Sequence, residues 1–168
     1  MQYYNPTKIP NVAIRFAAEE DIPLIFRFIQ GLAEYEHMMG DVTATEEILR
    51  DSLFRRKAAE VAIAELDGEP VGFALFFHNF STFLGKPGIY LEDLFVLPEA
   101  RGFGVGKALL PFLAKLAVER DCGRLEWSCL NWNEPSIEFY CGMGANPMDE
   151  WTVYREDGQA LADLADRF

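Results

Sequence analysis

The chain has 168 residues, of which half are apolar and 14% aromatic, so its length fits one domain with a substantial hydrophobic core. Its 27 acidic and 15 basic residues give a formal net charge of −12, which argues against a nucleic-acid partner because phosphate neutralisation requires clustered lysine and arginine. The same charge suits a cationic small-molecule substrate, although many cytosolic proteins are acidic for solubility alone.

The cysteine content predicts neither a metal site nor a disulfide framework. Cys122, Cys129 and Cys141 form no C-x-x-C pair, the chain has only two histidines, and an odd cysteine count fits a reducing compartment. The first residues lack the basic-then-apolar pattern of a secretion signal, and no apolar run approaches the ~18 residues of a membrane span. We therefore expect a cytoplasmic protein with no metal and no membrane partner.

The first part of the chain carries strand and helix signals in turn. A short strand is predicted at 12–16, and Pro23 follows in the first turn of a helix, where its missing N–H does no harm. The apolar positions of that helix recur with the helical period and predict one buried stripe: Ile22, Ile25, Phe26, Ile29, Leu32 and Ala33. The tetrad Thr43-Ala44-Thr45-Glu46 matches a capping box and predicts the start of a second, shorter helix.

The rest of the chain predicts a sheet completed by further helices. Two apolar runs at 59–66 and 70–78 flank Asp67-Gly68, a strong hairpin signal, and a glycine-rich turn at 85–88 precedes a strand at 89–96. The remaining predictions are a helix at about 105–120, a strand at 124–130, a helix at 134–141, a last strand at 151–155 and a small helix at 159–167. This order predicts a single α/β (α+β) domain over residues 1–168, with a mixed central sheet and helices on both faces.

The strongest functional signal is the glycine loop, residues 101–107, between a predicted strand and a predicted helix. Alternating glycines allow a tight turn, so backbone N–H groups and the positive end of the helix dipole point at one place, which suits a phosphate or pyrophosphate. A Walker A loop does not fit, because Arg101 stands where its first glycine belongs and Ala108 follows Lys107. A dinucleotide loop does not fit either, because Lys107 takes its third glycine position.

The remaining pattern, Arg-Gly-x-Gly-x-Gly, resembles the pyrophosphate loop of the GNAT acetyltransferases. Four segments together resemble the diamine (spermidine/spermine) N-acetyltransferase branch of that superfamily: 32–36 (LAEYE), 90–96 (YLEDLFV), 101–106 (RGFGVG) and 132–140 (WNEPSIEFY). The resemblance implies the GNAT fold with a mostly antiparallel sheet, acetyl-CoA as co-substrate, a small-molecule amine as acceptor and a homodimer.

The resemblance also implies a role for individual residues. Those expected to bind acetyl-CoA are Leu94, Phe95, Val96, Arg101, Gly102, Phe103, Gly104, Val105, Gly106, Lys107, Asn133 and Ser136. Those expected to line the amine site are Tyr35, Glu36, Glu92, Asp93, Trp127 and Ser128. Tyr140 matches the general acid, and Glu92 matches the base, acting directly or through a water.

The chemistry of these residue types agrees with those roles. A lysine-like amine has a pKa near ~10.4, so a base must remove its proton at neutral pH. Glu92 and Asp93 are adjacent on a strand, so alternation predicts that they point to opposite faces. Ser136 and Tyr140 are four residues apart and share a helix face, and the phenol can protonate a departing thiolate. A backbone N–H near Leu94 or Phe95 could polarise the thioester carbonyl if the strand splays there.

Three departures from the family pattern leave the acceptor open. A tight Asp67-Gly68 turn replaces a longer loop between the second and third strands, Glu34 replaces a basic residue, and Ser128 replaces a bulkier apolar one. The acceptor could therefore be a di- or polyamine, a lysine analogue, an aminoglycoside-like amine or a protein amine. An alternative of another class is a catalytically silent acetyl-CoA-binding regulatory module. Such a module could dispense with Glu92 and Tyr140, so the presence of both favours an enzyme.

Overall fold

The structure is a computed structural model that describes residues 3–4, as backbone only, and residues 7–168. Six strands of this described part form one sheet in chain order: β1 Tyr3–Tyr4, β2 Val12–Phe16, β3 Glu60–Leu66, β4 Glu69–Ser81, β5 Lys86–Val96 and β6 Leu125–Trp127. Neighbours are antiparallel from β1 to β5, and β6 runs parallel to β5. The predicted mixed, mostly antiparallel sheet is therefore confirmed.

The described residues contain five α-helices: α1 Ile22–Tyr35, α2 Glu46–Arg50, α3 Val105–Glu119, α4 Glu134–Gly142 and α5 Gly158–Ala165. A π-helical turn, Asp51–Arg55, continues α2. The chain divides into two compact units, residues 1–128 and 129–168. The first unit holds the sheet with α1 to α3, and the second holds α4 and α5.

One face of the sheet is covered by α1 and α2. The buried cluster on this face consists of Ile22, Ile25 and Phe28 from α1, Leu49 and Leu53, and the strand residues Val61, Ile63, Phe73 and Phe95. The rings of Phe28 and Phe73 stack with centroids 5.5 Å apart. Phe28 is absent from the predicted stripe but is one of the largest fully buried side chains. Each such side chain contributes about 1.5–3 kcal/mol by burial, so α1 is firmly seated.

The other face of the sheet packs against α3. The ring of Phe16 on β2 meets Phe112 of α3 edge-on at 5.8 Å, and Leu109 and Leu113 of the same helix are fully buried. Ala62 and Ala74, which pair with each other across β3 and β4, share the face of Phe16. Their small side chains leave room for the helix. Helices therefore lie on both faces of the sheet, as predicted.

A buried ion-pair group fixes the start of α1. Arg15 is only 7% exposed, and its guanidinium donates to Asp21 at 2.6 Å and to Glu65 at 2.7 Å. The hydrogen bond from Arg15 lowers the pKa of Asp21 despite the partial burial of that carboxyl. Because Asp21 directly precedes α1, this group ties the helix to β2 and β3.

Several predicted boundaries are wrong for local reasons. The hairpin turn after β4 ends before Lys86, so Lys86–Val96 is one strand, and Pro87 pairs with Phe80. The cap of α2 is Thr45, whose hydroxyl accepts the N–H of Ile48 at 3.2 Å, rather than Thr43. This shift places two glutamates in the first turn, where the helix dipole favours them.

The second unit differs most from the prediction. The predicted helices at 134–141 and 159–167 correspond to α4 and α5. The predicted strand at 151–155 is wrong, because these residues have no strand pairing and are all exposed. An alternating pattern forms a strand only where a neighbour supplies hydrogen bonds and a surface to pack on. No helix in the described part of the chain is both long and apolar enough to cross a membrane.

Candidate active site

The glycine loop connects the end of β5 to the start of α3. Gly102 and Gly104 have φ of 86° and 85°, values that L side chains rarely adopt, so glycine is required at both positions. The helix begins at Val105, which is 1% exposed, and Gly104 is its N-cap. The first N–H groups of a helix have no acceptor inside it, so this turn presents donors and a positive dipole to an anion. The geometry fits the pyrophosphate that the sequence predicts here.

The end of α1 is shaped by a Schellman motif. His37 has a left-handed φ of 60°, Met38 donates its N–H to Ala33 at 2.8 Å, and His37 donates to Glu34 at 3.2 Å. These bonds stop the helix immediately after Tyr35 and Glu36. The two residues predicted to line the amine site therefore stand on a defined helix end rather than on a free loop.

Arg101 links the glycine loop to that helix end. Its guanidinium carbon lies 4.8 Å from the ring centroid of Tyr35 and 5.8 Å from that of Phe95. Its Nε donates to the carbonyl of Val96 at 3.0 Å. The structure thus brings together residues that the sequence assigned to two different ligands, with Tyr35 on the amine and the other three on acetyl-CoA.

The register of β5 against β4 shifts at Glu92. Leu91 pairs with Phe76 of β4, Asp93 pairs with Leu75, and the register shift between them leaves Glu92 as a bulge without an opposite residue. Phe76 lies under the guanidinium of Arg120, which follows α3, whereas Leu75 packs against the cluster under α1. Leu91 and Asp93 therefore lie on opposite faces although they are two residues apart. Alternation is therefore broken between Leu91 and Asp93, and that Glu92 and Asp93 point to opposite faces stays a prediction.

The second half of β5 is also open along one edge. In the described chain, β6 pairs with β5 only at Ile89, Tyr90 and Leu91. Leu97 donates its N–H to Val71 of β4 at 2.8 Å, and N–H directions alternate along a strand. The N–H groups of Leu94 and Val96 therefore point to the open edge, and that of Phe95 points to β4. The pairing of β5 with β6 thus ends next to the position where the sequence argument required a splay, and that an N–H near Leu94 or Phe95 polarises a carbonyl stays a prediction.

Three carboxylates gather near this edge. Burial, followed by the negative charges of Glu92 and Glu36, raises the pKa of Asp93 to about 6. Burial likewise raises the pKa of Glu36. Glu92 itself is exposed. A cationic amine would relieve this crowding of like charges, and Glu92 has direct access to water.

The last predicted amine-site residues of the first unit lie at the end of β6. Trp127 is half-buried, and the hydroxyl of Ser128 lies 2.7 Å from the hydroxyl of Tyr90 on β5. The ring of Tyr90 is 5.3 Å from that of Phe77. Tyr90 was not predicted as a site residue, although it opens the YLEDLFV segment. Its bond to Ser128 shows how a small hydroxyl residue is accommodated where a bulkier one is usual.

In the second unit, α4 presents the other predicted residues. Asn133 is 5% exposed and caps the helix, accepting the N–H of Ser136 at 3.4 Å. Ser136 and Tyr140 are four residues apart and share one face, as predicted. The ring of Tyr140 lies 5.2 Å from that of Phe139. That this face meets Glu92 and the glycine loop stays a prediction.

The glycine loop before α3 and the strand β5, which loses its β6 neighbour beside a bulge, agree with the fold expected of a GNAT acyltransferase. The chain belongs to the acetyltransferase (GNAT) family, whose model matches residues 25–144. It is accordingly an enzyme of the acyltransferase class, and members of this family use acetyl-CoA as co-substrate. The resemblance seen in the sequence is confirmed.

Named relatives cover nearly the whole chain. It is 36% identical to thialysine N-epsilon-acetyltransferase of Bos taurus, over 92% of this chain and 97% of that protein. It is 29% identical to spermidine/spermine N(1)-acetyltransferase-like protein 1 of Homo sapiens, over 95% of this chain but 24% of that longer protein. The solved structure of integron cassette protein VCH_CASS6, from the mobile metagenome of V. cholerae, superposes with a TM-score of 0.76 at 30% identity, covering 92% of this chain and 98% of that one.

Proposed function

We propose that this enzyme transfers the acetyl group of acetyl-CoA to a primary amine of a small molecule, either a lysine analogue or a di- or polyamine. The observation that carries the proposal is the open second half of β5, which lies beside both the glycine loop and the carboxylates of Glu36, Glu92 and Asp93. We further propose that the two units act as one acetyltransferase domain over residues 1–168. The related proteins named for thialysine and for spermidine/spermine support this acceptor class.

In this proposal the glycine loop binds the pyrophosphate. The backbone N–H groups that start α3 donate to it, and Arg101 and Lys107 supply positive charge. Leu94 and Val96 offer backbone groups to the pantetheine arm along the open edge, and Asn133 and Ser136 add contacts from α4. Bound acetyl-CoA supplies a thioester whose carbonyl the N–H of Leu94 polarises.

Proton transfer is divided between Glu92 and Tyr140. Glu92 accepts the proton of the attacking amine through a water, which its exposed position allows. Tyr140 donates a proton to the departing thiolate, a role that a phenol can fill as a general acid. Tyr35, Glu36, Asp93, Trp127 and Ser128 hold the acceptor, with the carboxylates directed at a second ammonium group.

An amine panel tests this function directly. The purified protein is incubated with acetyl-CoA, and free CoA thiol is followed with putrescine, spermidine, spermine, lysine, thialysine or an aminoglycoside, and with no amine as the blank. We expect release well above the blank with thialysine and lysine, with the polyamines, or with both. Release with the aminoglycoside alone would contradict the proposed acceptor class.

Two other outcomes would replace the proposal. Blank rates throughout, with acetyl-CoA bound, would indicate a regulatory binding module, and acetylation of added protein alone would indicate a protein amine acceptor. We also propose that the protein is a cytoplasmic homodimer. This proposal rests on its composition and on the family resemblance. Light scattering at micromolar concentration tests the dimer, and a monomer would contradict it.

A further inference from the structure

Aromatic rings from two separate elements lie against the exposed side chain of Arg101. Tyr35 is the last residue of α1, Phe95 lies in the open half of β5, and Arg101 begins the glycine loop. The guanidinium carbon lies 4.8 Å from one ring and 5.8 Å from the other, distances at which a cation is attracted to an aromatic face. We call Tyr35, Phe95 and Arg101 the aromatic clamp.

Neighbouring residues fix the positions of both rings of the aromatic clamp. The Schellman motif fixes the end of α1 at Tyr35. Gly31, one turn earlier on the same helix face, lies so close to Phe95 that a Cβ there would come within 2.8 Å of its ring. Phe95 itself is 4% exposed. The rings therefore form a fixed surface, against which the Arg101 side chain is set.

The Arg101 side chain also fixes the backbone turn that precedes it. Its Nε bonds to the carbonyl of Val96, five residues earlier, and so closes the turn that leads from β5 into the loop. Gly102 and Gly104, which follow at once, have no side chain to restrict them. The loop is thus anchored at its first residue, immediately before the two positions with the greatest backbone freedom.

From this arrangement we infer that Tyr35 is a positioning residue for acetyl-CoA binding, acting through Arg101, in addition to its place in the amine site. This inference rests on the proposed function. The ring of Tyr35 keeps Arg101 in the orientation that presets the loop N–H groups before the pyrophosphate arrives. Preorganisation of this kind raises affinity because less conformational freedom is lost on binding.

The consequence is a link between the two substrates. An amine that packs on Tyr35 contacts the same ring that holds Arg101, so each ligand is expected to favour the clamped arrangement. By linkage, the factor by which a bound amine changes the affinity for acetyl-CoA equals the factor by which bound acetyl-CoA changes the affinity for the amine.

The test is acetyl-CoA binding measured by calorimetry with no amine present. We compare the wild type with Tyr35→Leu, Tyr35→Phe, Arg101→Met and the double variant Tyr35→Leu/Arg101→Met. Loss of the ring should raise the Kd for acetyl-CoA about three- to tenfold, and Tyr35→Phe, which keeps the ring, should stay within about twofold of wild type. The double variant should bind no more weakly than Arg101→Met alone, because the ring acts only through the guanidinium.

A second cation of the same loop provides the matched control. Lys107→Met should also weaken acetyl-CoA binding, but its effect should add to that of Tyr35→Leu, because Lys107 is not part of the aromatic clamp. Thermal unfolding of each variant identifies any loss of folding, and Tyr35→Met, which also removes the ring, replaces Tyr35→Leu if that variant is unstable.

Two results would overturn the inference while leaving the proposed function intact. One is an unchanged Kd for acetyl-CoA in Tyr35→Leu, with only the KM for the amine raised. The other is full additivity of Tyr35→Leu with Arg101→Met. Failure of the wild type to bind acetyl-CoA would instead overturn the proposed function and this inference together.

Discussion

The two halves of β5 differ in their strand pairing and in their burial. From Lys86 to Leu91 the strand lies against β4, and its last three residues also pair with β6; Ile89 and Leu91 are almost completely buried. From Glu92 to Val96 it pairs with β4 alone, begins with a bulge and carries two carboxylates. One strand thus supplies stability along its first half and, in the proposed function, chemistry along its second.

The difference shows how a sheet can expose polar backbone without losing its fold. The open half keeps its place because Phe95 is clamped between α1 and the sheet, while its other edge offers N–H groups to a ligand. A fully paired strand would be more stable but would have no free edge to offer. Substitutions in the two halves should therefore differ in their effects on stability and on activity.

The largest effect is expected from truncation in the first half. Leu91→Ala leaves a cavity at a site 1% exposed, so we expect a loss of about 2–5 kcal/mol in the free energy of unfolding. Leu94→Ala, in the open half and only half-buried, is the matched control and should lose about 1 kcal/mol. Urea unfolding measures both. Equal losses would contradict the division of β5.

The second effect concerns catalysis in the open half. Glu92→Gln keeps the shape of an exposed side chain, so stability should hardly change, whereas turnover should fall about 10²-fold because the base is lost. The acidic limb of the pH–rate profile should flatten. Glu69→Gln, an exposed glutamate at the start of β4, is the control and should match wild type. A limb that persists in Glu92→Gln would point to another base.

Tyr140→Phe tests the proposed role of Tyr140 as the general acid. Removal of the hydroxyl should lower turnover by about 10²-fold while leaving acetyl-CoA binding nearly intact, because the ring remains and only the acid is lost. Steady-state kinetics and calorimetry measure the two quantities. Unchanged turnover would remove Tyr140 from the mechanism.

A smaller effect should appear in the pH dependence of stability. Because burial and the charges of Glu92 and Glu36 raise the pKa of Asp93 to about 6, the folded state binds a proton that the unfolded state has lost between about pH 4 and 6. Asp93 therefore makes the protein more stable as the pH falls through this window, by at most about 3 kcal/mol. Asp93→Asn should remove this contribution in urea unfolding at several pH values. Identical pH slopes for variant and wild type would contradict the raised pKa.

Local sequence signals predicted the parts of the fold that local physics decides. Asp67 and Gly68 both have positive φ, as the hairpin signal required, and Gly102 and Gly104 of the loop take the left-handed conformations that only glycine adopts freely. The helical period predicted most of the face that α1 buries. In each case a few neighbouring residues determine the backbone.

Features that depend on contacts between residues far apart in the chain could not be predicted from the sequence. The bulge at Glu92 arises from the pairing of β5 with β4, and the open edge arises where β6 stops, so neither leaves a mark on residues 89–96 alone. The contact of Arg101 with Tyr35 joins residues far apart in the chain. The alternation at 151–155 gave a false strand signal because no partner strand pairs with it.

Amide hydrogen exchange with and without acetyl-CoA tests the central claim most directly, namely that the open half of β5 binds this co-substrate. We predict slower exchange at the N–H groups of Leu94 and Val96 when acetyl-CoA is added, because they point to the open edge. Exchange at Ile89, whose N–H already donates to Arg124 at 3.0 Å, should stay the same. Unchanged exchange at Leu94 and Val96 under saturating acetyl-CoA would contradict the account.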